Sequence, residues 1–366
     1  MPSVTPAYFT TGEQDNSSFD YQTSAMYSYV TAHDKEPLPI HTILLKSISI
    51  AILIFLTVFG NTVVITIIVK NKQLRGTTYY YLLNLAVADI TIAIFTEWTL
   101  LVHELKRYWI FGEFMCKFST VFQGISIHVS ILTLTIIAID RYLAIVFPLK
   151  SRVTSRNGGA GIFILAVWLT AICVNIPLLL NTGYQEWTYP DGHYRAYCFE
   201  EWSNPKLPAI YTTVLFVVIY IAPMSLMIFV YLTIATKLLV SRAPGERIES
   251  TVSSQERTKR KVLKMLVVVV CSFSFCWLPY NVVYMYMSWN IDYEPDNRIL
   301  FACLWLGYAN SALNPFIYCG FNENFRQGFL QILTCNSKKY IRVNKEQYSK
   351  KTYPSHTDKT IIEQGI

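Results

Sequence analysis

Charged residues are scarce in this 366-residue chain, at 15% against about 25% in an average soluble domain. Hydrophobic residues, in contrast, make up 52% of the sequence. This balance excludes a disordered chain and argues against a typical cytosolic enzyme. Charge is absent from several long stretches, and a run of about 20 apolar residues without charge is typical of a membrane-spanning helix.

The sequence also lacks the usual signatures of catalysis and cofactor binding. It has no Walker or dinucleotide-binding glycine loop, no clustered metal ligands and no repeat at a transporter-like period. Residues 1–40 lack a basic start followed by an apolar stretch, so we expect no signal peptide. We therefore expect neither enzymatic activity nor nucleic-acid binding.

Seven stretches are long enough to cross a bilayer, and hydrocarbon forces such stretches to be helical. Their predicted bounds are 47–69, 77–102, 118–139, a stretch within 158–184, 207–236, 265–291 and 299–322. Prolines inside four of them are compatible with kinked membrane helices. The sequence predicts an all-α membrane protein, a seven-transmembrane helix bundle with a short amphipathic eighth helix.

Four segments follow from this pattern: 1–42 is an extracellular N-terminal tail, 43–320 the bundle, 321–335 an amphipathic membrane-surface helix and 336–366 a cytoplasmic tail. The eighth helix is predicted because its apolar residues recur at helical spacing. Lys and Arg concentrate on the connections that share a side with the C-terminus, which places that side in the cytoplasm. The protein is thus expected to span a membrane, in contact with lipids, with an acidic outer face that favours cations and basic peptides.

The eight cysteines divide by their predicted position. Five lie within spans, where a thiol behaves as a small apolar group. Cys335 follows the last span beside basic residues and is a candidate for palmitoylation. Cys116 and Cys198 remain on the oxidising outer side, so we predict a disulfide between them. Asn16 lies in an Asn-Ser-Ser glycosylation sequon of the outer tail.

Polar residues at membrane depth are costly and therefore functional candidates. Several form recognisable motifs: Gly60-Asn61 in the first span, Asn-Leu-Ala-Val-Ala-Asp at 84–89, Asp-Arg-Tyr at 140–142, Phe-x-x-x-Trp-x-Pro at 273–279 and Asn-Pro-x-x-Tyr at 314–318. With each motif in its proper helix, residues 43–335 resemble the rhodopsin-class (class A) G-protein-coupled receptors.

The resemblance implies two buried sites. A sodium ion would be held by five residues: Asp89, Ser130, Asn310, Ser311 and Asn314. The alternative is a neutral Asp89 within a hydrogen-bonded network. The activation switch would begin with an ion pair of Asp140 and Arg141, next to Tyr142. After release from Asp140, Arg141 would contact Tyr231 and Tyr318. The switch would also include a packing cluster of Pro223, Ile131 and Phe273 below Trp277, and the helix kink at Pro315.

The position that pairs amine ligands in this class, seven residues after Cys116, holds Gln123, which has no charge but suits a peptide amide. The position of the opsin retinal lysine holds Tyr308. The motifs at 198–202 (Cys-Phe-Glu-Glu-Trp) and 210–213 (Ile-Tyr-Thr-Thr) are similar to those of receptors for RFamide peptides, including the neuropeptide FF and pyroglutamylated RFamide peptide receptors. Orexin and neuropeptide Y receptors are more distantly similar.

This narrower resemblance implies a ligand site for an amidated peptide. Gln123 would bind the terminal amide and Glu200 the penultimate Arg. Glu97 is a second candidate for that Arg, with a solvated rim charge as the alternative. The site would also include Trp202, Tyr280, Asn281, Tyr284 and Tyr308. Related receptors often have an acidic residue at the position of Ser288, and here the nearest acid, Asp292, lies one turn beyond. This departure makes Glu200 the stronger candidate for the partner of the ligand Arg.

We therefore predict a neuropeptide receptor of the plasma membrane that activates a heterotrimeric G protein, with Gq and Gi as candidates, and that recruits arrestin after phosphorylation of its tail. The alternatives are a receptor for another peptide of the orexin or neuropeptide Y type, or for a lipid or small molecule. A seven-helix transporter or pump would need a midplane proton relay or broken helices in matched halves, and neither is found.

Overall fold

The computed structural model describes residues 39–71, 74, 76–106, 108–147, 159–188, 194–240, 250–290 and 296–334. The side chains at 188, 238–240, 250–259 and 297 are not described. The predictions for Asn16, Cys335, Asp292 and the cytoplasmic tail lie outside the described residues and stay predictions.

Each of the seven predicted spans is a helix, followed by an eighth. The bounds are Ile40–Lys70 for α1, Thr77–Lys106 for α2, Gly112–Val146 for α3, Gly159–Leu180 for α4, the consecutive pieces Leu207–Leu215, Phe216–Ile221 and Ala222–Val240 for α5, Ser250–Trp289 for α6, Asn297–Phe321 for α7 and Glu323–Leu333 for α8. Most helices extend beyond the charge-free runs, because such runs mark the hydrocarbon depth and a helix continues into the polar interface.

Within the described residues, α1 to α6 are long and apolar enough to cross a membrane. Helix α7 is 25 residues long but more polar, because it carries Asn310, Ser311 and Asn314. All three side chains are buried, at 2%, 4% and 1% exposure. These polar side chains of α7 therefore face the interior of the helix bundle and not the lipid.

A two-stranded hairpin that the sequence analysis did not predict follows α4. Strand β1 (Thr182–Thr188) pairs antiparallel with β2 (Tyr194–Glu200), and Tyr184 lies opposite Cys198. The predicted disulfide between Cys116 and Cys198 is confirmed and ties β2 to the start of α3. The Tyr184 hydroxyl donates to Glu186 at 2.6 Å, and this bond to a carboxylate raises the pKa of Tyr184.

Among the described residues, two helices contain a π-helical stretch, Ala93–Glu97 in α2 and Phe216–Ile221 in α5. A π-helical turn adds one residue to the helix and shifts the register of everything after it. In α5 the stretch ends one residue before Ala222-Pro223, where proline lacks a backbone N–H. In α2 it ends at Glu97, whose burial is described below.

From Lys46 onward the described helices form one compact unit, in which α3 contacts α2, α4 and α5. Asn84 of α2 holds three helices together, because it donates to Thr133 of α3 and accepts from the indole of Trp168 of α4, each at 2.9 Å. Asn61 of α1 donates to the Ser311 carbonyl of α7 at 3.1 Å. Polar contacts thus fix the helix pairs inside an apolar core.

Helix α8 starts where Asn322 accepts a hydrogen bond from the backbone of Asn324. Phe325 is fully buried against Tyr318, with ring centroids 5.5 Å apart. Leu330 and Leu333 are exposed. The helix therefore packs one face on the bundle and leaves apolar residues uncovered, as an amphipathic helix would; its contact with a membrane stays a prediction.

Gly60 allows α1 to approach α7 at the Pro315 kink, because a Cβ at residue 60 would lie 2.8 Å from Pro315 Cγ. The proline ring cannot move aside, so Gly60→Ala is expected to lower the free energy of unfolding by about 1–3 kcal/mol through overpacking. Gly320→Ala is the matched control, since nothing lies within 4 Å of its new methyl group. It should stabilise by about 0.5–1 kcal/mol. Thermal unfolding of both purified variants measures the contrast; equal shifts would contradict the close approach.

Candidate functional site

A cavity of about 180 Å³ opens between α3, α4, α5 and α6 below the hairpin. Eight of the residues predicted for the ligand site and the switch line it: Gln123, Ile131, Glu200, Phe273, Trp277, Tyr280, Asn281 and Tyr284. Pockets for drug-sized ligands run from about 300 to 1,000 Å³. A cavity of this smaller size suits the end of a chain rather than a whole peptide.

Gln123 lies on α3 in the wall of the cavity and is oriented from behind by α7. The Tyr308 hydroxyl donates to Gln123 Oε1 at 3.1 Å. Tyr308 itself is 1% exposed and packs edge-on against Trp277. The contact directs the Gln123 amide group, whose N–H donors remain for a ligand. Tyr308 is therefore a support of the site and not one of the residues that line it.

Glu200 ends strand β2 and carries the carboxylate of the cavity. Its Oε2 accepts from the Trp202 indole at 2.8 Å, and its Oε1 accepts from the Tyr284 hydroxyl. Trp202 is 8% exposed and packs on Tyr211. Like Tyr308, it supports a residue of the cavity wall and does not line the cavity itself. An ionised carboxylate offers about four acceptor positions. Two neutral donors orient Glu200 and leave it able to accept from a cationic partner.

Two roles were predicted for Glu97, a partner for the ligand Arg or a solvated charge at the rim. Glu97 is 0% exposed, and neither carboxylate oxygen has a hydrogen-bond partner among the described residues. The alternative of a solvated rim charge is therefore wrong. Glu97 does not line the cavity with Gln123 and Glu200 either. The π-helical stretch of α2 that ends at Glu97 changes the direction of its side chain, and the sequence gives no signal of that stretch.

Asp89 is 2% exposed and accepts from the Asn314 amide of α7 at 2.8 Å. Asn310 Oδ1 and Asn314 Oδ1 are buried without partners in the part of the chain that the structure describes. Ser130 donates to the Ser126 carbonyl, which leaves its oxygen lone pairs available. A carboxylate with unpartnered amide and hydroxyl oxygens is the donor chemistry that hard cations prefer, so these residues fit a sodium ion.

The far end of the bundle contains the predicted switch. Arg141 donates to Asp140 through Nε at 3.1 Å and Nη2 at 2.5 Å, and Thr78 donates to the same carboxylate at 2.9 Å. The hydroxyls of Tyr231 and Tyr318 are buried without partners among the described residues. Trp277, Phe273 and Ile131 form a packed column between the cavity and this end, at 2%, 1% and 1% exposure.

A family model described as "7 transmembrane receptor (rhodopsin family)" matches residues 60–318. The chain belongs to this family. It is therefore a multi-pass membrane receptor and not an enzyme, and α7 counts as the seventh span despite its polar residues. The ion pair of Asp140 with Arg141, the buried Asp89 and the disulfide all lie within or between the helices that the match covers.

Individual relatives are neuropeptide receptors. The chain is 35% identical to rat neuropeptide FF receptor 2 and 36% identical to rat neuropeptide FF receptor 1, each over 295 residues. These alignments cover 76% of this chain and 70% and 68% of the two relatives. The substance-P receptor of Aquarana catesbeiana is 32% identical over 296 residues, which cover 79% of this chain and 70% of that receptor.

Sequence reasoning missed several polar residues in the cavity wall of this receptor: Thr120, His128, Asn175, Tyr211, Thr212 and Tyr220. His128 and Asn175 line the cavity, with the Asn175 amide 2.8 Å from His128 Nδ1. In the sequence His128 stands alone on α3 and resembles an ordinary packed residue. No spacing within α3 signals it, because five residues from Gln123 correspond to a turn of about 140° around the helix and so do not indicate a shared face.

Glu97 and Glu104 provide a test of burial with and without a partner. Glu104 accepts from Lys46 at 2.5 Å in a mostly buried pair, and Lys46 also lies 4.4 Å from the Phe301 ring centroid. Glu104→Gln should lower the thermal unfolding midpoint, because it leaves the buried Lys46 charge unpaired. Glu97→Gln should leave the midpoint unchanged or raise it, since it removes no contact between described residues. An equally large drop for Glu97→Gln would show that Glu97 holds a cation.

Proposed function

We propose that this receptor binds an RFamide-like peptide, which ends in Arg followed by an amidated aromatic residue, from outside the cell and activates a heterotrimeric G protein. The observation that carries the proposal is the pairing of a neutral amide, Gln123, with a carboxylate, Glu200, in one cavity. The relatives, which are neuropeptide FF and substance-P receptors, support a peptide ligand. The small volume agrees with a peptide that inserts only its C-terminal end.

In this proposal the terminal amide of the peptide binds to Gln123. Because the Tyr308 hydroxyl already donates to Oε1, the Gln123 side chain presents its N–H groups to the peptide carbonyl. The second lone pair of Oε1 can accept from the terminal NH₂ group of the ligand. A free carboxylate in the same place would offer no donor, so the amide form is preferred over the acid.

In this proposal the penultimate Arg of the peptide binds to Glu200. Tyr284 and Trp202 hold the carboxylate by neutral hydrogen bonds, and no Lys or Arg among the described residues pairs with it. A guanidinium forms charge-assisted bonds with such a group. The acidic hairpin side of the protein, which we place outside the cell, attracts a basic peptide before it binds.

A ligand in the cavity acts on the far end through the packed column. It contacts Trp277 and Phe273 at the cavity floor, and a change in their packing would move α6 about the Pro279 kink. The unpartnered hydroxyls of Tyr231 and Tyr318 favour a second arrangement in which Arg141 leaves Asp140 and bonds to them. The peptide stabilises that arrangement only as far as it binds it more tightly.

Four further parts of the proposal concern the other partners of the receptor. A sodium ion at Asp89, held with Ser130, Asn310, Ser311 and Asn314, would stabilise the resting arrangement by neutralising the buried carboxylate. The G protein, of the Gq or Gi type, would bind at Arg141 and the basic end of α6 near Lys261 and Lys264. Arrestin would bind after tail phosphorylation. The cell membrane would hold α8 at its inner surface.

The ligand class is tested with cells that express the receptor at measured surface density. Amidated peptides with a C-terminal Arg-aromatic pair should raise G-protein signalling, and the same peptides as free acids should be at least about tenfold weaker. Gln123→Leu should reduce that difference. Peptide agonists of substance-P and neuromedin-K receptors serve as a comparison set. A response to those alone, or to no amidated peptide, would contradict the proposal.

The role of Glu200 is tested by a double-mutant cycle. Glu200→Gln should weaken an Arg-containing peptide about 10- to 100-fold, as expected for a charge-assisted hydrogen bond. The same peptide with citrulline in place of Arg should lose little further on that variant. Glu201→Gln is the matched control, because Glu201 is the next acid in the chain but is exposed. Independent, additive losses for peptide and receptor would contradict the pairing.

A further inference from the structure

The orientation of His128 is fixed by Asn175 of α4. Asn175 Nδ2 donates to the Ala171 carbonyl at 2.7 Å, which identifies that end of the amide as nitrogen. The same nitrogen lies 2.8 Å from His128 Nδ1. Because an amide nitrogen donates and does not accept, Nδ1 is the acceptor and the imidazole proton of neutral His128 resides on Nε2.

Gly124 makes this arrangement possible. A Cβ at residue 124 would lie 2.1 Å from Asn175 Oδ1, so another residue there would displace the amide. Asn175 is 1% exposed and is therefore enclosed by its contacts with Gly124, Ala171 and His128. Asn175 and Gly124 are positioning residues, and His128 is the residue whose free nitrogen can reach a ligand.

The second ring nitrogen of His128, Nε2, is available to a ligand, because His128 lines the cavity. His128 is a half-buried lining residue, its Nδ1 side is turned toward α4, and Nε2 has no hydrogen-bond partner among the described residues. The cavity wall also includes the apolar residues Ile127, Ile131, Leu215, Phe216 and Ile219, and the hydroxyls of Thr212 and Tyr220, which line it too, are bonded to Ser288 and Ser274. An N–H donor in such surroundings gains most from a ligand that brings an acceptor on an otherwise apolar group.

The position of this donor relative to Gln123 suggests which ligand group it meets. His128 lies five residues further along α3, away from the hairpin end, which is a rise of about 7.5 Å and a turn of about 140° around the helix, and both residues line the cavity. One aromatic side chain spans such a distance when its own backbone amide is bound at Gln123. The phenol of tyrosine would carry an acceptor oxygen to His128, whereas phenylalanine would leave the donor unpaired.

On the basis of the proposed function, we infer that His128 makes the receptor select a peptide that ends in an Arg-Tyr-amide over one that ends in an Arg-Phe-amide. The Nε2–H group donates to the phenolic oxygen of the last residue. A site built to bond a hydroxyl discriminates against the analogue that lacks it, because the protein's polar group is then left buried and unpaired.

The test uses two peptides that are identical except for the last residue, Tyr-amide or Phe-amide. Wild-type receptor should respond to the Tyr form at about tenfold lower concentration. His128→Leu should bring the ratio close to one through loss of Tyr-form potency, with the Phe form little changed. His128→Gln, which keeps an N–H donor, should retain part of the preference. Thr120→Val is the control, since Thr120 lines the same cavity but its hydroxyl is bonded to the Cys116 carbonyl.

Equal potency of the two peptides on wild-type receptor, or a ratio that His128→Leu does not change, overturns the inference while the proposed function stands. Failure of every amidated peptide overturns the proposed function and this inference with it. The wild-type ratio is decisive even if a His128 variant does not reach the cell surface.

Discussion

The exclusion of water from a membrane interior is the constraint on which this structure depends. Every buried polar side chain must find its partner inside the bundle, so the few that are present define which helices touch. Asn84 joins α2, α3 and α4, Asn61 joins α1 to α7, and Asp89 bonds to Asn314. These contacts link helices that are distant in sequence, and the apolar core alone would not specify them.

The same constraint explains why unpartnered groups are informative. The hydroxyls of Tyr231 and Tyr318 and both oxygens of Glu97 are buried without a hydrogen bond between described residues. Such groups destabilise the arrangement in which they occur. The two tyrosines lie at the Arg141 end, where a second arrangement can satisfy them. These unpartnered hydroxyls are the observation that supports the proposed rearrangement at Arg141.

Much of the fold could be predicted from the sequence, because the membrane forces charge-free runs to be helical and leaves few places for an outer disulfide. Gln123, Glu200 and the named residues of α6 line one cavity, and the motifs in α3 and α6 fix the register of those two helices. The functional roles of these residues come from resemblance and remain proposals. The structure adds that Tyr308 and Trp202 support the site from behind.

Three features could not be predicted, each for a physical reason. The hairpin depends on pairing between two short loop segments with weak alternation. The π-helical stretches add one residue to a helix without a local signal, and this hid the burial of Glu97. The His128 orientation depends on the approach of α4 at Gly124, a tertiary contact that no spacing within α3 reveals.

The central claim is that occupation of the cavity below the hairpin separates α3 from α6 at the Arg141 end. The most direct measurement is the distance between spin labels attached near Val146 and near Lys264, in receptor reconstituted into lipid discs with and without an amidated peptide. The account predicts a population at longer distance that grows with peptide and grows further with G protein. An unchanged distance distribution at saturating peptide, in receptor that still accelerates nucleotide exchange, would contradict it.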